Sequence, residues 1–395
     1  MKRRKWIRRV SILMAVLLLF LTGCGQKKQD GSHSSESDKT NIGENKAEED
    51  NDGDDGAESK ENGENKVNEK ASVFMRAAYS DKVLDRSQVK GEFAVYFLGS
   101  DVLYNSYTYT QRGGDSVLLI APDGTTMLYD CLKPVSAAYV VYALQQLGIE
   151  KIDYFVNSHP HVDHMGGFSL LTRYIEIGHV YLPGAKAAYE NPETLGGSCY
   201  TMMREIKERN IPYSYLVEGD SFKFGKDINI KVYNPPADLA FDSMDENEWS
   251  LALKFVYKKA SVVLAGDCGN NKDKLGRSTE AELAAKYGSE LQADVSKCNH
   301  HGDGNVNGNT KAGSKEWIAA TNSKIYVASN NQFTDEKNWF MHRATGAAVY
   351  HTGLDGTIRV STSGNGTYDV QVEMDRNNPD YFGDTGAKNG HVKVK

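Results

Sequence analysis

Three histidines and an aspartate lie within six consecutive residues, in the run HPHVDH that begins at His159. In an extended segment, residues i and i+2 point to the same side, so His159 and His161 present their imidazoles together. Pro160 keeps His159 out of the helical region, and the turn that follows brings in Asp163 and His164. Three imidazole nitrogens and one carboxylate suit zinc or another borderline divalent ion. The pattern indicates a metal-binding turn, against the alternatives of a solvated polar turn or histidines hydrogen-bonded in the core.

Two more groups of metal-type ligands follow predicted strands. Asp267 comes shortly after the apolar run 261–265, and the pair His300 and His301 comes shortly after the run 293–297. The HPHVDH turn follows an apolar run in the same way. Because open α/β sheets bind ligands at the ends of their strands, we expect these three segments to meet.

The rest of the domain must bring these segments together. The elements predicted upstream of the HPHVDH turn are strands at 92–98, 116–120, 126–130 and 152–157, and a helix at 135–147. A meander of strands followed by alternating helices and strands predicts a mixed α/β sandwich. We place this domain at residues 88–375, followed by a loose tail at residues 376–395 that is rich in Gly and Lys.

The chain begins with a pattern typical of an exported protein. Residues 1–9 carry six Lys or Arg, and an apolar run extends from there to Gly23. Residues 1–23 are therefore predicted to be a signal peptide. The tetrapeptide LTGC that ends at Cys24 resembles the bacterial lipobox, whose cysteine is lipidated; the alternative is a plain N-terminal anchor helix. The first interpretation predicts a protein that is lipid-anchored through Cys24 to the outer face of a bacterial membrane.

Residues 24–72 contain almost no large apolar residue, so they cannot bury enough surface to fold. Within them, residues 26–70 carry 14 acidic and 7 basic side chains, which predicts an extended, self-repelling tether. The net charge of the whole chain is −7, and about −6 remains on the domain without the first nine residues and the tether. This charge does not favour nucleic acid as a partner. A phosphate-rich substrate would be attracted by the metals and a local basic patch.

Four cysteines remain besides Cys24, and they are Cys131, Cys199, Cys268 and Cys298. An even number in an exported chain permits disulfide bonds. Cys268 and Cys298 each lie within two residues of a predicted metal ligand, so ligation by sulfur is one interpretation. We favour the other, that they are small buried thiols.

Three motifs resemble those of the metallo-β-lactamase superfamily of metal-dependent hydrolases: HPHVDHMGG at 159–167, AGD at 265–267 and NHHGD at 299–303. Within that superfamily, the chain is most similar to the hydrolase domain of the DNA-uptake competence protein ComEC. Relatives of that domain have a Gly-Asp segment after the first strand and a strand that ends in Asp, which Asp115 and Asp130 match. The resemblance covers about residues 90–365. It implies an αββα sandwich of two mixed sheets flanked by helices.

The chain departs from the superfamily pattern at the usual third histidine, where it has NEWSL at 247–251. The nearest upstream histidine, His179, is interpreted as structural. Asp303 stands where serine is usual, and the loop 99–114 is longer than in typical relatives. The missing histidine leaves open whether one metal or two metals bind.

The resemblance implies a divalent metal centre, with two zinc ions preferred and manganese as an alternative. The implied ligands are His159 and His161 for one metal, Asp163 and His164 for the other, Asp267 as a bridge, and His300. Catalytic roles fall to Asp163, Asp267 and His301, although His300 and His301 are interchangeable at this stage.

The implied reaction is hydrolysis by a metal-bound hydroxide. The ComEC resemblance favours a phosphodiester substrate, as in a nuclease or phosphodiesterase, whereas the wider superfamily also favours an amide, lactone or thioester. A small-molecule substrate fits either class. A third interpretation is a lipoprotein that binds metal and a ligand without turnover, which the missing histidine supports.

Overall fold

The computed structural model describes residues 83–99, 113–237, 245–269, 278–302, 312–329, 345–373 and 390–393. The predicted signal peptide, Cys24 and the acidic tether lie outside the described residues, as does Asp303. None of the helices in the described part of the chain has both the length and the apolar composition that a membrane span requires.

The described residues contain strands of three to eight residues. In chain order they are β1 (Phe93–Phe97), β2 (Val117–Ile120), β3 (Thr126–Tyr129), β4 (Lys151–Val156), β5 (Glu176–Pro183), β6 (Tyr213–Leu216), β7 (Ser221–Phe224), β8 (Ile228–Asn234), β9 (Ala252–Tyr257), β10 (Ala260–Leu264), β11 (Val295–Lys297), β12 (Ile325–Ala328), β13 (Ala348–His351), β14 (Ile358–Thr362), β15 (Thr367–Val372) and β16 (Gly390–Lys393).

The helices connect these strands or precede them. In chain order they are α1 (Ala137–Gln146), α2 (Val162–Met165), α3 (Phe168–Tyr174), α4 (Lys186–Glu190), α5 (Gly197–Glu208), α6 (Thr279–Tyr287), α7 (Lys315–Thr321) and α8 (Thr352–Asp355).

The strands form two mixed sheets. One sheet has the order β16-β15-β14-β1-β2-β3-β4-β5-β6, and the other has the order β13-β12-β11-β10-β9-β8-β7. The two sheets share a core in which side chains such as Phe97 and Val360 from the first pack with Phe255 and Val262 from the second. The opposite faces of the sheets are covered by helices. The α/β sandwich predicted from the sequence is therefore confirmed.

Alternation along the strands produces this layering. In β1, Phe93, Val95 and Phe97 belong to the core between the sheets. Their neighbours Ala94 and Tyr96 belong to a second core, formed with residues of α1, α3 and α5. Because successive side chains of a strand point to opposite faces, an apolar strand without polar alternation can fill both cores.

The domain extends beyond the limits predicted from the sequence. Val83 and Leu84, upstream of the predicted boundary at residue 88, are buried in the core beneath the helices. Residues 390–393, predicted as part of a loose tail, form β16 and pair antiparallel with β15. An edge strand leaves backbone donors and acceptors available for pairing, which gives this segment a partner that local composition does not indicate.

Candidate metal centre

The centre lies where strands of both sheets end. The HPHVDH turn follows β4 of the larger sheet, whereas Asp267 follows β10 and the histidine pair follows β11 of the smaller sheet. Strands β10 and β11 are parallel neighbours, so the segments after them emerge side by side. The prediction that the three segments meet is borne out by their contacts.

Four imidazoles converge on one carboxylate oxygen. Oδ2 of Asp267 lies 3.2 Å from Nε2 of both His164 and His301. It lies 3.6 Å from Nε2 of His300 and 3.9 Å from Nε2 of His159. The side chains of His159, His164 and Asp267 are almost completely buried. Both members of the pair that the sequence could not separate therefore direct Nε2 toward Asp267.

Three atoms of this cluster are buried without a hydrogen bond. They are Nε2 of His159, Nε2 of His164 and Oδ1 of Asp267, and none of them finds a hydrogen-bond partner in the described part of the chain. Buried polar atoms in folded proteins are almost always paired, so two orphaned nitrogens and an orphaned oxygen at one site indicate a missing partner. Imidazole nitrogens with a carboxylate are the donor set of zinc and related divalent ions. The residues therefore fit a divalent metal.

Two predicted ligands, His161 and Asp163, lie on the solvent side of this cluster. Oδ2 of Asp163 lies 3.4 Å from Nε2 of His301, and the Asp163 side chain is 25% exposed. The His161 ring stands 4.6 Å from the His159 ring, at a steep angle. Nε2 of His161 is 3.9 Å from Oε2 of Glu246, and its side chain is 37% exposed. The centre therefore has a closed interior and an accessible edge.

The histidines are oriented through their other nitrogens. Nδ1 of His164 lies 2.8 Å from Oδ2 of Asp130. Nδ1 of His301 lies 3.1 Å from Oδ1 of Asp115. A carboxylate on one imidazole nitrogen fixes the ring and its tautomer, leaving the opposite nitrogen to bind a metal. Both aspartates were recognised as motif matches in the sequence, but no role followed from them there.

The third buried histidine has hydroxyl partners instead. Nδ1 of His159 lies 2.9 Å from Oγ of Ser158 and 3.2 Å from Oγ of Ser250. Ser250 also accepts a hydrogen bond of 2.9 Å from the backbone N–H of Asp267. Ser250 belongs to the NEWSL segment that replaces the usual third histidine. This segment therefore supports the centre through a serine hydroxyl, a role that the sequence analysis missed.

Lys297 is a buried cation beside these groups, also missed from the sequence. Its Nζ donates to the carbonyl oxygens of Gly266 at 3.0 Å and Cys298 at 3.1 Å. The same Nζ forms an ion pair with Oδ2 of Asp115 and lies 3.9 Å from Oδ1 of Asp267. Burial alone lowers the pKa of Lys297, but the two aspartates outweigh it and raise that pKa above its usual value. A lysine at the last position of a three-residue strand, VSK, gives no signal in the sequence that it points inward.

The backbone of the histidine pair is strained. His300 has φ 46° and His301 has φ 58°, in the left-handed region that residues with a Cβ rarely adopt. Such residues cost about 1–3 kcal/mol each and persist only where their surroundings impose them. Here the N–H of His300 donates to the carbonyl of Gly266 at 3.1 Å. Two successive left-handed residues let both imidazoles reach Asp267, which neither helix nor strand geometry would allow.

Two glycines permit the close approach of the connecting segments. A Cβ on Gly114, at φ +127°, would lie 2.1 Å from the carbonyl oxygen of Asp163. A Cβ on Gly266, at φ +53°, would lie 2.7 Å from Oγ of Ser250. Because these positions are glycine, Asp115 can lie against the HPHVDH turn and Asp267 can lie against the NEWSL segment.

Charge coupling sets the protonation of the centre. Burial alone raises the pKa of Asp267, but the surrounding histidines outweigh it and hold that pKa well below its usual value. Burial and the neighbouring His164 hold the pKa of His159 well below its usual value. Asp267 and His159 are thus held in the forms that bind a cation. Burial lowers the pKa values of His164 and His301, but Asp267 and the other aspartates outweigh burial and raise both pKa values well above the usual one. These two imidazoles must therefore release a proton when a metal binds.

The cysteines pack instead of joining the cluster. Cys131, Cys199, Cys268 and Cys298 are all buried and free. The thiol of Cys268 lies 3.6 Å from the carbonyl of Ser250. Burial raises the pKa of the Cys298 thiol to about 12, which disfavours the thiolate that binds metal. His179 lies in β5, with Nε2 at 2.9 Å from Oγ of Ser214 and apart from the centre.

Comparisons with known proteins bear on this geometry. Residues 110–273 match the family model of the metallo-beta-lactamase superfamily. Among curated proteins, none matched the chain.

Several solved structures are similar to it. One is the metallo-beta-lactamase fold protein YhfI from Bacillus subtilis, at 11% identity over 69% of this chain and 100% of that chain, with a TM-score of 0.43. Another is a diphosphatase from the PhnP family, at 13% identity over 68% of this chain and 98% of that chain, with a TM-score of 0.41. A third is CmlA, a diiron beta-hydroxylase from Streptomyces venezuelae, at 14% identity over 69% of this chain and 54% of that chain, with a TM-score of 0.43.

The matched residues 110–273 include the HPHVDH turn and Asp267, around which the histidines gather. The two mixed sheets with helices on their outer faces have the architecture that the superfamily motifs implied. Residues 110–273 therefore match the model of the metallo-beta-lactamase superfamily, and the described chain carries a cluster of His and Asp residues fit to bind a divalent metal.

Proposed function

We propose that this chain is a metal-dependent hydrolase. The observation that carries the proposal is the convergence of four imidazole nitrogens on Oδ2 of Asp267, beside an edge that solvent reaches at Asp163 and His300. A structural zinc site is usually closed by four tight ligands, whereas a catalytic site keeps a position open to substrate. A cluster that is buried on one side and exposed on the other fits the second kind.

A bound divalent metal would supply Lewis acidity, which activates water and stabilises negative charge. The side chains at the edge can do the remaining work. Asp163 is ionised, because His301 and the other imidazoles lower its pKa strongly against the effect of burial. Its Oδ2 can accept a hydrogen bond from an attacking water and orient it. His300 is 17% exposed and can orient a substrate or donate a proton to a leaving group.

The substrate class that we propose is a phosphodiester. It rests on the motifs that resemble ComEC-type hydrolases, namely the Gly-Asp segment at Asp115, the strand ending in Asp130 and the paired histidines. The net charge of about −6 on the domain favours a small phosphodiester over a nucleic-acid polymer. Amides, lactones and thioesters are the alternative substrates, and a binding protein without turnover is the alternative from another class.

We further propose that the enzyme works outside the cell, anchored through a lipid on Cys24. The basic start, the apolar run and the LTGC tetrapeptide support this location. The acidic segment 24–72 would hold the domain away from the membrane surface.

The test combines metal analysis with turnover. We would measure bound metal by elemental analysis, and hydrolysis of a panel containing a generic phosphodiester, an ester, a lactone and a lactam. The variants are Asp267→Ala and a matched control, Asp227→Ala, which removes an exposed carboxylate between β7 and β8. We expect Asp267→Ala to lose at least one metal and several orders of magnitude in rate, while the control keeps both.

The result also separates the alternatives. Turnover of the lactone or lactam but not the phosphodiester would support the wider superfamily chemistry. Metal-replete wild type that hydrolyses no member of the panel would refute the hydrolase and favour the binding protein.

A further inference from the structure

Asp115 is the carboxylate of the centre that could act either as a metal ligand or as the outer hydrogen-bond partner of a histidine. One of its oxygens lies within 4.8 Å of ligand atoms of His164, Asp267 and His301, close enough for all four residues to share a metal. Its nearest contact to an imidazole is nevertheless with Nδ1 of His301, at 3.1 Å. Asp267 contacts Nε2 of the same ring, at 3.2 Å. The two carboxylates therefore contact different nitrogens of one imidazole, and Oδ2 of Asp115 also lies 3.8 Å from Nδ1 of His164.

The contacts of Lys297 place Asp115 beside Nδ1 of His301. Its ammonium group pairs with Oδ2 of Asp115, leaving Oδ1 for His301. Its remaining donors are occupied by the carbonyls of Gly266 and Cys298. The lysine is 1% exposed and cannot be replaced by solvent cations. An ionised carboxylate buried without a partner is very costly, so Asp115 stays paired with this buried lysine.

The backbone fixes Asp115 in the same position. Its N–H donates to the carbonyl of Asp163 at 3.0 Å, and its carbonyl accepts from the N–H of Leu132 at 2.9 Å. These bonds tie it to the segments that follow β4 and β3. The side chain is thus the only part of Asp115 free to turn toward the metal position, and its pairing with Lys297 restrains that rotation.

We propose that Lys297 is a positioning residue of the metal centre: it holds Asp115 on Nδ1 of His301, as an outer partner of that histidine and not as a metal ligand. The inference rests on the proposed function only in that a metal binds at the Nε2 side of the histidines. In consequence the centre has its own internal cation, which offsets part of the negative charge of its aspartates before any metal binds.

The experiment is a double-mutant cycle on the full chain, with Lys297→Met, Asp115→Asn and the two combined. The control is Lys254→Met. This half-buried lysine lies in β9 of the smaller sheet and donates a hydrogen bond of 2.7 Å to the carbonyl of Glu290. The first measurement is the melting temperature of the metal-free proteins. The second is the visible absorption of the proteins loaded with Co²⁺, which weakens when the ion gains ligands.

We expect each single variant to melt well below wild type, because each leaves a buried charge alone, and the combined variant to melt above both. In Lys297→Met, the released Asp115 should join the metal, and the Co²⁺ absorption should weaken; in the combined variant it should not. If Lys297→Met does not fold, a folded combined variant supports the proposal. Additive losses of stability, a combined variant that does not fold, or an unchanged Co²⁺ spectrum in folded Lys297→Met would overturn it.

Failure of this proposal is distinct from failure of the proposed function. Neither the melting temperature of metal-free protein nor the Co²⁺ spectrum depends on turnover. A wild type without hydrolytic activity would refute the enzyme and leave the cycle interpretable.

Discussion

Replacing Glu248 with Gln should remove a large part of the pH dependence of stability. Glu248 lies in the turn before Ser250, is 3% exposed, and accepts a weak hydrogen bond of 3.3 Å from the N–H of Thr279. Burial is the main cause that raises its pKa from 4.5 to about 7; hydrogen bonds from Thr279 oppose this rise, and the neighbouring acids Asp245 and Glu280 add to it. A folded-state pKa above the unfolded value means that folding favours the protonated carboxyl. Its contribution is therefore complete below pH 4.5 and is lost as the pH rises through 7.

The size of the effect follows from that difference. Each pKa unit corresponds to about 1.36 kcal/mol, so the shift of Glu248 corresponds to roughly 3 kcal/mol of unfolding free energy. Urea unfolding at pH 5 and pH 8 measures it. We expect Glu248→Gln to be more stable than wild type at pH 8 by up to about 3 kcal/mol, and to show little advantage at pH 5. The control is Glu282→Gln, an exposed carboxyl in the first turn of α6. An equal pH dependence in wild type and Glu248→Gln would refute the reasoning.

Four further predictions concern the centre and the tether. Asp130→Asn weakens the outer partner of His164, and calorimetric titration should show zinc affinity lower by about 10- to 100-fold. Cys268→Ser should leave metal content unchanged by elemental analysis, because the thiol packs without ligating; a loss of metal would contradict this. Cys24→Ala should release the protein from membranes or leave it unprocessed, as fractionation would show. Deletion of residues 26–70 should leave the melting temperature nearly unchanged, and a large fall would mean that the segment docks on the domain.

The candidate ligands could be proposed from the sequence because they are close together in the chain or follow a recognisable strand. The HPHVDH turn holds four of them in six residues, and its extended start sets two imidazoles side by side. Asp267 was predicted from its position after a buried strand. The sequence could not separate His300 from His301, because their direction depends on two left-handed backbone residues that tertiary contacts impose.

The outer partners could not be predicted because they are distant in sequence. Ser250 lies 91 residues from the His159 nitrogen that it contacts, and Asp115 lies 186 residues from His301. No periodic pattern in the sequence links a serine or an aspartate to a partner so far away in the chain. The motif resemblance identified Asp115 and Asp130 as family positions, but their roles appear only when the sheets are assembled.

The elements differ in predictability for a related reason. Helix α6 has ends that a local pattern indicates, since Ser278 caps its N-terminus and Gly288 follows its last residue. Strand β7 has no such local signal, because it is an edge strand of four residues, SFKF, too short for its alternation to indicate a strand. Its place is set by antiparallel pairing with β8, which a local pattern does not contain.

A buried carboxylate that is not a metal ligand also anchors the histidine pair from behind. Glu280 accepts hydrogen bonds of 2.8 Å from the side chain of Asn299 and the N–H of Gly313, and one of 2.7 Å from the N–H of Ser314. Asn299 directly precedes the strained His300, whereas Gly313 and Ser314 precede α7. Because one fully buried side chain joins both segments, the turn cannot relax toward ordinary backbone angles without breaking that contact. The strain at the histidines is therefore maintained from α6, outside the metal cluster, and the stability of that helix contributes directly to the geometry of the centre.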